Sequence, residues 1–122
     1  MVGAIIGDIV GSRFEFDNHK SKDFELFTSK CSFTDDSVMT LAVAKALLSF
    51  DESIDTEAFK RELIKAMHEV GMRYPYCGYG TNFYNWILYG GTEPYNSCGN
   101  GSAMRVSPVA YAARDLAECK SL

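Results

Sequence analysis

The chain has 122 residues, 47% of them hydrophobic and 23% charged, with a net charge of −4 and an isoelectric point near 5.1. That balance excludes an intrinsically disordered chain, and an acidic protein with scattered basic residues lacks the basic patch of a nucleic-acid binder. No apolar run reaches the roughly 20 residues of a membrane-spanning helix, and Met1 leads into Val2-Gly3-Ala4 without a basic, cleavable leader. The expectation is one cytoplasmic domain over residues 1–122, with Cys31, Cys77, Cys98 and Cys119 as free thiols, because their wide spacing contains no zinc pattern.

Residues 2–16 read as a first helix, with Ile5, Ile6, Ile9 and Val10 at helical spacing. Gly3, Gly7 and Gly11 recur every four residues and line a face that another helix could approach closely. Asp8 and Glu15, seven residues apart, fall on roughly one side of this helix. They are either two solvated carboxylates or a pair facing a polar site. Residues 17–33 are polar and aperiodic, a surface loop carrying His19, with Phe24, Leu26 and Phe27 as a short extended piece. A loop of this length between helices is uncommon and often functional.

Ser32 to Met39 sets a hydroxyl and two carboxylates on consecutive residues. Thr34 reads as a helix N-cap with Asp35 and Asp36 in the first turn, where the helix dipole favours them. Phe33 and Val38 are spaced as a hydrophobic staple. The same three side chains are the hard-oxygen donor set of Mg²⁺, Mn²⁺ or Ca²⁺. The helix they open runs to about Ser49 and is apolar nearly all round, which makes it central to the fold. Carboxylates at the mouth of a buried helix need compensation, and a cation is one form of it.

Asp51 to Asp55 reads as a turn, with Asp55 capping the next helix and Ile54 and Phe59 placed as its staple. Phe59, Leu63, Ile64, Met67 and Val70 make an amphipathic stripe on a surface helix that ends at Gly71 and carries His68 at its surface or rim. Tyr74 to Gly80 is an aromatic, turn-rich loop whose tyrosines either pack or stack on a flat ligand. Thr81 then caps a short helix with Phe83, Trp86, Ile87 and Tyr89 directed inward, ended by Gly90-Gly91. From Thr92 to Ser102, glycines and small polar residues lead into an apolar helix, a junction whose N–H groups can cradle a phosphate. Pro108 introduces a last helix from Val109 to about Cys119. The sum is an all-α protein, an orthogonal bundle of five or six helices.

Four blocks together resemble the ADP-ribosylglycohydrolase family. They are Gly7-Asp8-Ile9-Val10-Gly11-Ser12-Arg13-Phe14-Glu15, then Phe33-Thr34-Asp35-Asp36-Ser37-Val38-Met39, then Gly78-Tyr79-Gly80 with Phe83 and Trp86, and finally the run from Pro94-Tyr95-Asn96 through Met104-Arg105 to Ser107-Pro108. They match the family's N-terminal half in order. The resemblance implies an all-α fold around a pair of Mg²⁺ or Mn²⁺ ions, with Thr34, Asp35 and Asp36 as metal ligands and Glu15 beside them, assisting catalysis. It implies an ADP-ribose site lined by Ser97, Cys98, Gly99, Asn100 and Gly101, and hydrolysis at C1″ of ADP-ribose attached to a protein side chain or small acceptor. Ser37 stands where many members have Thr, and Cys98 where an aromatic is usual.

The family's C-terminal half carries an Asp-x-Asp-Thr motif that completes the two-metal site, and no Asp-x-Asp occurs in these residues. Three readings follow. The chain is a truncated hydrolase; or it draws its missing ligands from a second copy or a complementary C-terminal half; or it is a non-catalytic binder of ADP-ribose or a nucleotide, or a structural helical remnant. Helices without partners expose apolar patches, so a homo-oligomer is expected.

Overall fold

The computed structural model describes residues 1–49 and 56–121. Among them are seven α-helical segments and no strand: α1 (Val2–Gly11), α2 (Asp35–Leu48), α3 (Thr56–Arg73), α4 (Thr81–Leu88), α5 (Gly101–Met104), α6 (Val109–Ala112) and α7 (Leu116–Ser121). The all-α expectation holds. The expected turn at Asp51–Asp55, with the Asp55 cap and Ile54 staple, lies outside the described residues.

The centre is α2, which touches α1, α3, α5 and α6. Val38, Met39, Ala42 and Val43 pack with Met67 of α3 in one buried cluster, while Ala46 joins Phe59 and Ala66 in a second. Leu47 and Leu63 border both clusters, and Lys45 pairs with Glu69 at 2.5 Å across the α2–α3 seam. The helix is not buried all round: Leu41, Lys45 and Leu48 form one solvent-facing stripe, with Leu48 89% exposed. Before the helix, the half-exposed Phe33 ring meets Tyr74 edge-on.

The first helix ends earlier than its pattern predicts. α1 stops at Gly11, and a single 3-10 turn, Ser12–Phe14, follows. Its glycine stripe faces open space, since a Cβ on Gly3, Gly7 or Gly11 would meet nothing within 4 Å. The long loop is pinned at its root by Arg13, whose guanidinium bonds the Thr28 hydroxyl and the Glu25 carbonyl and lies over the Phe14 ring. Phe14 stacks on His19 and meets Phe24 edge-on. Phe24 and Leu26 are bends and Phe27 is irregular, so no extended strand forms there.

Gly71 does not end α3, which continues to Arg73. The glycine is buried where α4 crosses: a Cβ there would lie 2.7 Å from Ile87 Cδ1. His68, expected at the surface or rim, is half-buried with its ring 4.4 Å from Trp86 and its two nitrogens facing the Ile87 and Gly91 carbonyls. Thr81 is the first residue of α4, with Gly80 in the cap position. Ile87 is buried and Phe83 and Trp86 pack partly inward, but Tyr89 is 80% exposed. The last helix is broken in two because Ala113 is extended. Asp115 accepts the Glu118 N–H while the Glu118 carboxylate bonds back to Arg114, so a new helix starts there.

Candidate functional site

The N-terminus of α2 presents four main-chain N–H groups, from Thr34 to Ser37, and each finds an acceptor. Thr34 N–H donates to Asp8 Oδ2 (2.9 Å), Asp35 N–H to the Cys77 carbonyl (2.7 Å), Asp36 N–H to Thr34 Oγ1 (3.3 Å) and Ser37 N–H to Asp8 Oδ2 (3.2 Å). Thr34 is thus the N-cap its sequence context predicts. Asp35 and Asp36 are in the first turn, but the capping bonds there are made by other groups.

Their carboxylates instead line a cleft of about 1020 Å³. Glu15 is on its wall, as are Ser97, Cys98, Gly99, Asn100 and Gly101, so the structure gathers eight of the nine predicted site residues around one space. Thr34 is the exception. Its hydroxyl points away to Asp8 Oδ1, donating at 2.5 Å. Asp8 and Glu15 do not share one helix face: after the break at Gly11, Glu15 lines the cleft while Asp8 bonds the N-terminus of α2.

Among the described residues the acid pair has no cationic partner. Burial, then the charge of Asp36, and further the charges of Glu15 and Asp8, push the Asp35 carboxyl up to about 6. Burial and the Asp8 charge raise Asp36 as well. No cation of the described residues forms an ion pair with either. Adjacent carboxylates in that condition suit a divalent cation. The donor set is nonetheless incomplete: among the described residues no three of His, Cys, Asp and Glu converge as a metal-binding group.

Two groups on the cleft were not singled out by their sequence context. Gly78 has φ +95°, a backbone conformation suited to glycine, and lies directly against Asp35. Arg105 lines the cleft near the glycine-rich loop, and its guanidinium is 5.5 Å from the Phe83 ring centre. Phe83 stacks on Trp86, which stacks on His68, so four flat groups run in series and end at Arg105. Desolvation holds its pKa below the usual arginine value, and no carboxylate among the described residues is paired with it. In the loop itself, Gly99 N–H is taken by Ser97 Oγ at 3.1 Å, which curls the backbone around the cleft mouth.

No described helix is long and apolar enough to cross a membrane. A family model described as ADP-ribosylglycohydrolase matches residues 1–121. Comparison with curated proteins and with solved structures returned no match.

Proposed function

The chain belongs to the ADP-ribosylglycohydrolase family, and on that premise we propose that its cleft binds an ADP-ribosyl group for metal-dependent hydrolysis of the C1″ linkage to a protein side chain or small acceptor. The observation that carries this is the meeting of Asp35 and Asp36 with residues 97–101 on one cleft. The glycine-rich loop, by N–H groups other than that of Gly99, and Arg105, by its charge, would face the diphosphate. Glu15, exposed at the rim beside the acid pair, orients or deprotonates the attacking water. Asp35 and Asp36 would hold Mg²⁺ or Mn²⁺, which when bound would supply electrostatic stabilisation at the anomeric centre. Thr34, outside the cleft lining, donates its hydroxyl proton to Asp8 and accepts the Asp36 N–H, and would reach such an ion only through its one remaining lone pair.

The absence of a closed three-residue donor set among the described residues supports two extensions. The remaining ligands come from a second copy or a complementary C-terminal half; alternatively the chain is a binder of ADP-ribose without hydrolysis. The exposed Leu41 and Leu48 on α2 favour self-association. An ADP-ribose titration, with and without Mg²⁺, is expected to show saturable binding that Asp35→Ala/Asp36→Ala weakens in the Mg²⁺ arm. Identical curves for both proteins in both arms would count against the metal role. Release of free ADP-ribose from modified arginine or serine separates hydrolase from binder, and light scattering reads the oligomer.

A further inference from the structure

Asp8 belongs to none of the groups that line the cleft, yet it is the most heavily bonded carboxylate among the described residues. Its Oδ1 accepts from Thr34 Oγ1 at 2.5 Å, and its Oδ2 from Thr34 N–H at 2.9 Å, Ser37 N–H at 3.2 Å and Ser37 Oγ at 2.5 Å. Thr34 and Ser37 are the residues immediately before and after Asp35-Asp36. One side chain, reaching across 26 residues of sequence, therefore grips both flanks of the acid pair.

We infer that Asp8 is a positioning residue for the Asp35–Asp36 pair, setting its geometry toward a divalent cation through the bonds to Thr34 and Ser37. The inference rests on the metal reading above. The physical reason lies in competition. An Asp in the first turn of a helix tends to fold back onto free N–H groups. Asp8 occupies Ser37 N–H, and through the Thr34 side chain it orients the hydroxyl that takes Asp36 N–H. Each cleft carboxylate keeps its own N–H as a partner, with the Thr34 hydroxyl beside Asp36, and retains lone pairs for a ligand. The Thr34 hydroxyl is also fixed in sense: it donates to Asp8 and accepts the Asp36 N–H. A neutral amide at this place has one acceptor oxygen for four donors, and its NH₂ confronts a hydroxyl or an N–H.

The test is a Mn²⁺ titration by calorimetry on the full chain, comparing wild type with Asp8→Asn, Ser37→Ala, the Asp8→Asn/Ser37→Ala double variant and Asp35→Ala/Asp36→Ala. Circular dichroism at the titration temperature confirms that each is folded. Asp8→Asn is expected to weaken Mn²⁺ binding about 10–100-fold, the range of groups that orient metal ligands. Ser37→Ala, the milder change should Asp8→Asn fail to fold, is expected to weaken it about 3–10-fold. The double variant should be no weaker than Asp8→Asn alone, since the two act on one arrangement. A purely structural Asp8 would lower the melting temperature while the folded variants bound Mn²⁺ like wild type, and that result overturns the inference alone. No binding by wild type, or binding undiminished in Asp35→Ala/Asp36→Ala, overturns the metal reading and this inference together.

Discussion

Gly71 and Ile87 meet with no room for a methyl group: a Cβ on the glycine would come within 2.7 Å of Ile87 Cδ1 and 3.4 Å of both Cγ atoms. Both residues are buried, so the Ile87 Cδ1 methyl, which turns about χ2, has to move within close-packed surroundings. Gly71→Ala should therefore destabilise by about 1 kcal/mol, the overpacking cost exceeding the gain in helix propensity. Ile87→Val removes the nearest atom. In that background Gly71→Ala should become neutral or stabilising, and additive ΔΔG values in urea denaturation would contradict the contact.

Acid titration of the α2 N-terminus should make the metal-free protein more stable at pH 5 than at pH 7.5. The folded state holds the Asp35 carboxyl near 6 against an ordinary 3.8. Between those values the folded chain binds a proton that the unfolded chain lacks, so stability is fully present below the unfolded value and falls as pH rises through the folded one. Asp36 acts in the same direction. Because the site is half open to solvent, the change should be on the order of 1 kcal/mol. Glu69 and Glu118, lowered by their bonds to Lys45 and Arg114, lose their contributions only below this window. Denaturation in EDTA at the two pH values checks the sign, and Asp35→Asn should flatten the dependence.

Arg105 should discriminate by ligand charge. Arg105→Gln is expected to weaken ADP-ribose about tenfold, the worth of a charge-assisted hydrogen bond, and to leave adenosine binding unchanged. Arg105→Lys should retain part of the affinity. Equal losses for both ligands in isothermal titration would place the arginine's role in packing against Phe83.

Gly78 and Gly80 flank Tyr79 but differ in backbone. Gly78 is at φ +95° and Gly80, the α4 cap, at φ −58°. Gly78→Ala should cost about 1–2 kcal/mol from conformation alone, since its Cβ would sit 3.6 Å from Asp35 Oδ1, an ordinary contact. Gly80→Ala should change stability by much less than that, having no neighbour within 4 Å. Thermal melts of the two variants make the comparison.

The helix from Asp35 was legible because cap, acids and apolar run all point one way in a few adjacent residues. Gly71 was not: a helix stop and a close helix crossing both ask for glycine, and only the position of Ile87 decides between them. Asp8 had the same difficulty in a stronger form, since its partners return to it from Thr34 and Ser37 by a path that no local pattern describes. The break at Ala113 did leave a signal, Asp115 followed three residues later by Glu118, but it was outweighed by the alanine-rich periodicity around it. At the cleft, the family blocks brought together the right segments, while the arrangement of Arg105 behind Phe83 and Trp86 needed coordinates.

α1 contributes one buried residue, Val10, to the protein, and its glycine face touches nothing. Its polar attachment to α2 is the set of Asp8 bonds, beside the half-buried Ile5 and Ile9. In hydrogen-exchange terms, α1 should open as a separate unit, at a lower free energy than the α2–α3 core. Amides of Thr34 and Ser37 should exchange with it rather than with Met39 and Val43. Loss of α1 by local unfolding and loss of the acid-pair geometry would then be one event, so ligands of the cleft should slow exchange in a helix they do not need to touch.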